Sequence, residues 1–300
     1  MRNQEALPVG ESPEVRCSMN QTAQQAGLAL LLGVGTALLL NCNGPIVARS
    51  PEALYALATE QIANANYSPA VDTLTKVMQA PEQTEWAGRA QVLRIALLAG
   101  MARGFKEIAE NYLAGHQQAG AAAYAPQMRA IAMDYFGRAR GRSIEMVEAL
   151  DRMMREPGAG PVRVELSLPA RSAGEPPAPP LGGALAKVRQ GNWIENPELV
   201  QAEKDQVREQ LGQALTSIAG ADAGSSSAAF YLAVGREIAN LSSIYRPEAL
   251  RDARMFRLFH ERAATAASRA GELAREAGNR KLEEESQQLL AHCKEALKRQ

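Results

Sequence analysis

Three hundred residues, 46% apolar and 22% charged, give enough chain to bury a core and exclude a wholly disordered protein. The 33 basic and 33 acidic side chains cancel, which excludes the broad positive footprint of a protein that wraps nucleic acid. Aromatic residues are sparse at 5% while alanine and leucine dominate, a balance that favours helix over sheet.

The first element in chain order is an uncharged apolar run from Ala26 to Leu40. Fifteen residues make a helix of roughly 22 Å, short of the ~30 Å hydrocarbon core of a bilayer. The run has no polar face, so it fits a soluble core helix poorly, and its length matches the apolar region of a secretory signal. Leu39-Leu40-Asn41-Cys42 resembles the lipobox of bacterial lipoproteins. The resemblance implies cleavage before Cys42 and acylation of that residue, hence attachment to a membrane through a lipid anchor. Asn41 stands where that family usually has Gly, Ala or Ser. The segment before the run carries Arg2 and Arg16 against Glu5, Glu11 and Glu14, whereas a start at Met19 gives a more ordinary leader. Asn43 follows the cysteine where an aspartate marks inner-membrane retention in enterobacterial lipoproteins. The resemblance therefore implies the periplasmic face of the outer membrane, with an uncleaved inner-membrane anchor as the alternative.

Beyond Cys42, Ser50-Pro51-Glu52 supplies a capping hydroxyl, a proline at the first helical position and an acid in the first turn. Ser68-Pro69 makes the same start for a second helix, and Asn64 to Tyr67 reads as the turn of an αα-hairpin. Aligning turns at Asn66-Tyr67, Gly104-Phe105 and Arg142-Ser143 gives a period of 38 residues, repeated once. The same register superposes Leu57, Ile95 and Met133, and likewise Leu74, Tyr112 and Leu150. Such a period predicts stacked helical hairpins that bury their apolar faces against neighbours. Leu54, Leu57, Ala58, Tyr67, Ala70, Leu74 and Pro81 sit at or within one position of the signature places of the tetratricopeptide repeat, which the first hairpin resembles. The resemblance implies an all-α, tetratricopeptide-like solenoid over 50–155, although Gln61, Ile108 and Met146 depart from the pattern.

Seven prolines fall between Pro157 and Pro180, which predicts an extended, Pro-rich linker over 157–183. Within it Val162 to Leu168 alternates apolar and polar residues like a strand, read here as an extended connector. Asn196-Pro197-Glu198 opens a helix to about Ile218, a Gly- and Ser-rich loop follows, and a further helix is expected from Ala228 to Ile244. Pro247-Glu248-Ala249-Leu250 is expected to open a long helix with a stripe Ala249, Ala253, Phe256, His260, Ala263, Ala267, Ala270, Ala274. Gly278-Asn279 ends it, and a last helix runs nearly to Gln300 with Glu276/Arg280 and Glu295/Arg299 as spaced ion pairs. The predicted organisation is a leader over 1–41, a hairpin-repeat domain over 42–156, the linker over 157–183 and a second helical region over 184–300.

The chain contains no glycine-rich phosphate loop, no GxSxG turn and no HExxH pair, so no catalytic residue, metal ligand or cofactor is assigned. Cys17, Cys42 and Cys293 share no metal-ligand spacing. His260 reads as a packed histidine, His292-Cys293 points two ways from one helix, Glu283 to Glu285 reads as a solvated face, and Trp193 as the seal of a domain end. The functional expectation is a non-enzymatic, lipid-anchored helical scaffold of the cell envelope that binds a protein partner, with its partner-binding residues unassigned and nucleic acid excluded. The alternatives are an inner-membrane assembly factor and an enzyme or ligand carrier with a pocket between helices.

Overall fold

The computed structural model describes residues 50–80, 85–116, 124–155, 164, 180–187, 196–219, 226–246 and 248–299. These residues are all-helical: α1 (Pro51–Ala63), α2 (Tyr67–Met78), α3 (Glu85–His116), α4 (Ala125–Arg155), α5 (Leu181–Lys187), α6 (Pro197–Ala214), α7 (Ser227–Leu241), α8 (Ala253–Glu276) and α9 (Arg280–Lys298). A π turn, Leu215–Ala219, extends α6, and a 3-10 turn, Ser242–Tyr245, extends α7. The leader, Cys17, Cys42, Trp193 and the expected connector strand (apart from Val164) lie outside the described residues.

The local signals at both α1 and α6 hold. The Ser50 hydroxyl accepts from the Ala53 amide at 3.2 Å, and the Asn196 side chain accepts from Glu198 at 2.9 Å, each with proline in the first turn. The first hairpin also forms. Ala65 takes φ 59°, the left-handed conformation that reverses the chain, and Ala58 and Ala70 are fully buried between α1 and α2.

The second and third turns do not form. Gly104 and Arg142 lie inside uninterrupted helices, α3 of 32 residues and α4 of 31, each close to 50 Å long at about 1.5 Å per residue. At position 143 the serine hydroxyl donates back to the Arg140 carbonyl at 2.9 Å, a bond that lets a polar residue sit inside a buried helix face. Of the superposed apolar positions, Leu74, Tyr112, Leu150 and Ile95 are buried while Leu57 and Met133 are half-buried, so the 38-residue register follows helix faces rather than three hairpins.

The explanation for Gly104 is packing. A Cβ there would stand 2.8 Å from Val207 Cα, and one at Gly100 would stand 2.7 Å from Leu211 Cα. Two glycines four apart share one face of α3, and α6 lies on that face with its backbone in contact. Apart from partly exposed Arg94, α3 is buried all round from Ala90 to Ala102, and it touches α1, α2, α4, α5, α6 and α7. It is the central helix of the fold, and through α6 it joins the two helical regions that flank the Pro-rich stretch; residues 48–300 form one unit.

At the C-terminal end α7, α8 and α9 pack together. The long helix starts at Ala253 rather than at Pro247. Glu248 to Leu250 form a turn, Arg251 is left-handed at φ 53°, and Asp252 caps the Met255 amide at 3.0 Å. A left-handed residue cannot sit inside a right-handed helix, so the start moves past it. Phe256, His260, Ala263, Ala267, Ala270 and Ala274 of the expected stripe are buried. Gly278 at φ 69° ends α8 and Asn279 caps α9. Arg299 reaches Glu295 at 3.1 Å, whereas the expected Glu276/Arg280 contact is replaced by Arg275 reaching Glu283 at 2.8 Å.

Candidate functional site

A groove of about 680 Å³ opens where the α1–α2 turn faces α6. The left-handed Ala65 sets one rim, residues 64–69. Met101, Phe105 and Ile108 of α3 and Tyr135 of α4 form the apolar base, and α6 from Val200 to Arg208 forms the other rim. Val200 is 39% exposed and is the large apolar side chain left open to solvent among the described residues.

One carboxylate ties three helices together beneath this groove. Glu203 of α6 accepts from the Tyr112 hydroxyl on α3 and the Tyr135 hydroxyl on α4, both at 2.7 Å. The two phenol rings stack at 6.2 Å, and Phe105 lies 6.0 Å from Tyr135. The Arg138 guanidinium covers the Tyr135 ring at 5.0 Å and pairs with Asp134 at 2.8 Å. Burial first, and then the bond to Glu203, push both tyrosines far above the usual phenol range. Both phenols serve as donors to Glu203.

Next to the groove runs a polar seam between α3, α6 and α7. Arg103 forks onto the Glu237 carboxylate, with its Nε at 2.9 Å, and reaches Gln213 at 3.1 Å and Gln210 at 3.4 Å. Glu107, one turn on, accepts from the Gln206 and Gln210 amides. Burial raises the Glu107 carboxyl above the usual range, against the opposing pull of Lys106, Arg103 and Gln206. The seam locks the register of α6 on α3, and so fixes the far rim of the groove.

The residues singled out from sequence separate cleanly. His260 is buried, as expected, with Nε2 at 3.0 Å from the Ser242 hydroxyl. Cys293 is fully buried and its thiol is pushed up to about 11 by burial, while its neighbour His292 is exposed, so the two do not act together. Glu283 and Glu285 are tethered to Arg275 and Arg236, not merely solvated. Among the described residues no group of three or more His, Cys, Asp or Glu side chains is placed to hold a metal.

No family model, no curated protein and no solved structure matches this chain.

Proposed function

We propose that this protein is a non-enzymatic helical scaffold that holds a segment of a protein partner in the groove between the α1–α2 turn and α6. The observation that carries the reading is the groove: an apolar base with exposed Val200 on its rim, held rigid by the Glu203–tyrosine clamp. A rigid concave surface admits a partner segment at little ordering cost to the scaffold. Of the tetratricopeptide-like solenoid, the first hairpin is the part with support, through its buried Ala58/Ala70 crossing. The lipid anchor at Cys42 and the site at the outer membrane's periplasmic face belong to the same proposal, supported by the lipobox-like Leu39 to Cys42. No helix among the described residues is long and apolar enough to cross a membrane.

The test is a photo-crosslinking amino acid placed at Val200 in the full chain expressed in a bacterial envelope, with Arg257 on the exposed face of α8 as the control position. The scaffold reading expects one discrete protein adduct from position 200, none from 257, and loss of the adduct when Arg138 and Lys204 at the groove are changed to glutamate. Equal adducts from both positions would refute it. The membrane half is checked by the intact mass of the N-terminal peptide, expected to begin at acylated Cys42 and refuted by an unmodified Met1 or Met19 start.

A further inference from the structure

A second concavity, of about 490 Å³, lies where α3, α7, the residues after α7 and α9 meet. Its permanently charged lining is mostly cationic, Lys106, Arg236 and Arg246 against Glu110, with the His292 ring beside them. Glu110 holds Lys106 at 3.2 Å and Glu285 of α9 holds Arg236 at 2.9 Å. Three permanent cations against two carboxylates leave one positive charge uncompensated. No carboxylate among the described residues pairs with Arg246, and the Lys106 side chain is only 11% exposed. The uncompensated charge is therefore the exposed Arg246, beside a mostly buried Lys106 that shares its charge with Glu110.

The buried ring behind this cleft reports the same field. The Ser242 hydroxyl donates to the Ala239 carbonyl at 2.6 Å, so toward His260 it accepts, and His260 carries its proton on Nε2. Nδ1 is then a bare lone pair, buried and without a partner among the described residues. Burial, then the charges of His292 and Arg246, hold His260 below its ordinary value. The His260 and His292 rings are 6.2 Å apart, so the cleft and the buried histidine sense one another directly.

We propose that this cleft is a binding site for a small oxyanionic ligand, one bearing a phosphate or carboxylate group, with Lys106 and Arg246 as its charged contacts and the His292 ring and Asn240 amide beside them. The volume falls in the ordinary range of small-molecule sites and exceeds what one inorganic ion fills, so the natural ligand is a larger molecule that carries the anion at one end. The site is separate from the groove, and its test does not depend on the scaffold reading.

The experiment follows the histidine ring resonances of the full chain, with His116 replaced by Gln to remove the third signal, at fixed pH. Inorganic phosphate, citrate and chloride are titrated in turn at matched ionic strength. The site expects His292 and His260 to shift together and saturate with phosphate or citrate, and chloride to leave them unmoved. Arg246→Ala and Lys106→Met each weaken that binding about tenfold or more, and Arg257→Ala does not. Saturation by phosphate alone assigns a phosphoryl ligand, and saturation by citrate alone a carboxylate. Unsaturating shifts common to all three anions, or equal affinity in wild type and Arg246→Ala, overturn the proposal. Arg246 is exposed and makes no ion pair among the described residues, so its variant keeps the wild-type unfolding temperature in chloride and a folding defect does not confuse the result.

Discussion

Replacing Gly104 by alanine tests the central packing of this fold, because the same substitution elsewhere has the opposite sign. In a helix interior, glycine to alanine stabilises by about 1 kcal/mol where the new methyl meets nothing. Gly137 and Gly141 of α4 are such places, both exposed, and a methyl added at either would meet no atom within 4 Å. At Gly104 the methyl would lie 2.8 Å from Val207 Cα, and at Gly100 2.7 Å from Leu211 Cα, roughly 0.7 Å inside the ~3.5 Å closest comfortable carbon contact. The obstacle is backbone, so no rotamer change relieves it, and α6 must lift from α3. Overpacking of this kind costs roughly 1–3 kcal/mol, and with a fixed obstacle the upper half of that range applies. Set against the helix-propensity gain, each of Gly100→Ala and Gly104→Ala loses about 1–2 kcal/mol.

Chemically identical substitutions on α3 and α4 therefore differ by about 2–3 kcal/mol, or roughly 4–6 °C in unfolding temperature at this size. Urea unfolding followed by far-ultraviolet circular dichroism measures the four single variants side by side. The double variant Gly100→Ala/Gly104→Ala loses less than the sum, since one displacement of α6 relieves both contacts. Stabilisation by Gly100→Ala would refute the reasoning, because a turn at Gly104 could tolerate or reject a methyl there but leaves Gly100 in a free helix interior.

Three further outcomes follow from the buried polar groups. Tyr112→Phe and Tyr135→Phe each remove one phenol from the Glu203 carboxylate and lower stability by about 1–2 kcal/mol, and a double-mutant cycle in urea shows the two losses to be coupled rather than additive. Arg103→Met strands Glu237, of which 7% is exposed, and costs about 3–5 kcal/mol, whereas Arg103→Met/Glu237→Met recovers most of the loss; a double variant no better than the single contradicts the seam. His260 is held below its ordinary 6.5, so below about pH 6.5 the unfolded chain binds the extra proton and stability falls as the pH drops, levelling off under the folded value. Unfolding temperatures from pH 8 to 5 check this, and His260→Gln flattens that part of the profile.

Local chemistry was legible from sequence wherever one short segment decides the outcome. The caps at Ser50 and Asn196, the reversal at Asn64 to Asn66 and the stop at Gly278 each rest on residues within a few positions of one another. Gly104 misled because a glycine beside polar residues signals a turn, and the same glycine four residues after another signals a helix crossing. Only the partner helix, about a hundred residues away, decides between them. Pro247 misled because a left-handed Arg251 four residues later overrides the start it offers. The groove and the cleft were not legible at all. Glu203 is 91 residues from Tyr112 and 68 from Tyr135, and His260 meets His292 across the α8–α9 turn, so no window of sequence holds either constellation.

What joins these features is one stretch of α3. Between Arg103 and Glu110 the helix turns about 100° per residue, and successive side chains go to three different places. Phe105 and Ile108 enter the groove, Lys106 and Glu110 line the cationic cleft, and Arg103 and Glu107 bind the seam that fixes α6 and α7. A helix broken at Gly104 could not serve all three, because the two halves would be free to reorient. The unbroken α3 makes groove and cleft opposite faces of one rigid rod, with the seam between them. Lys106 and Phe105 share one backbone, whereas displacement of α6 acts on the groove first and reaches the cleft through its packing on α3 and the Arg103–Glu237 pair. Loosening the seam with Arg103→Met should therefore disturb both faces at once, and a change confined to the α6 contact at Gly104 should disturb the groove before the cleft.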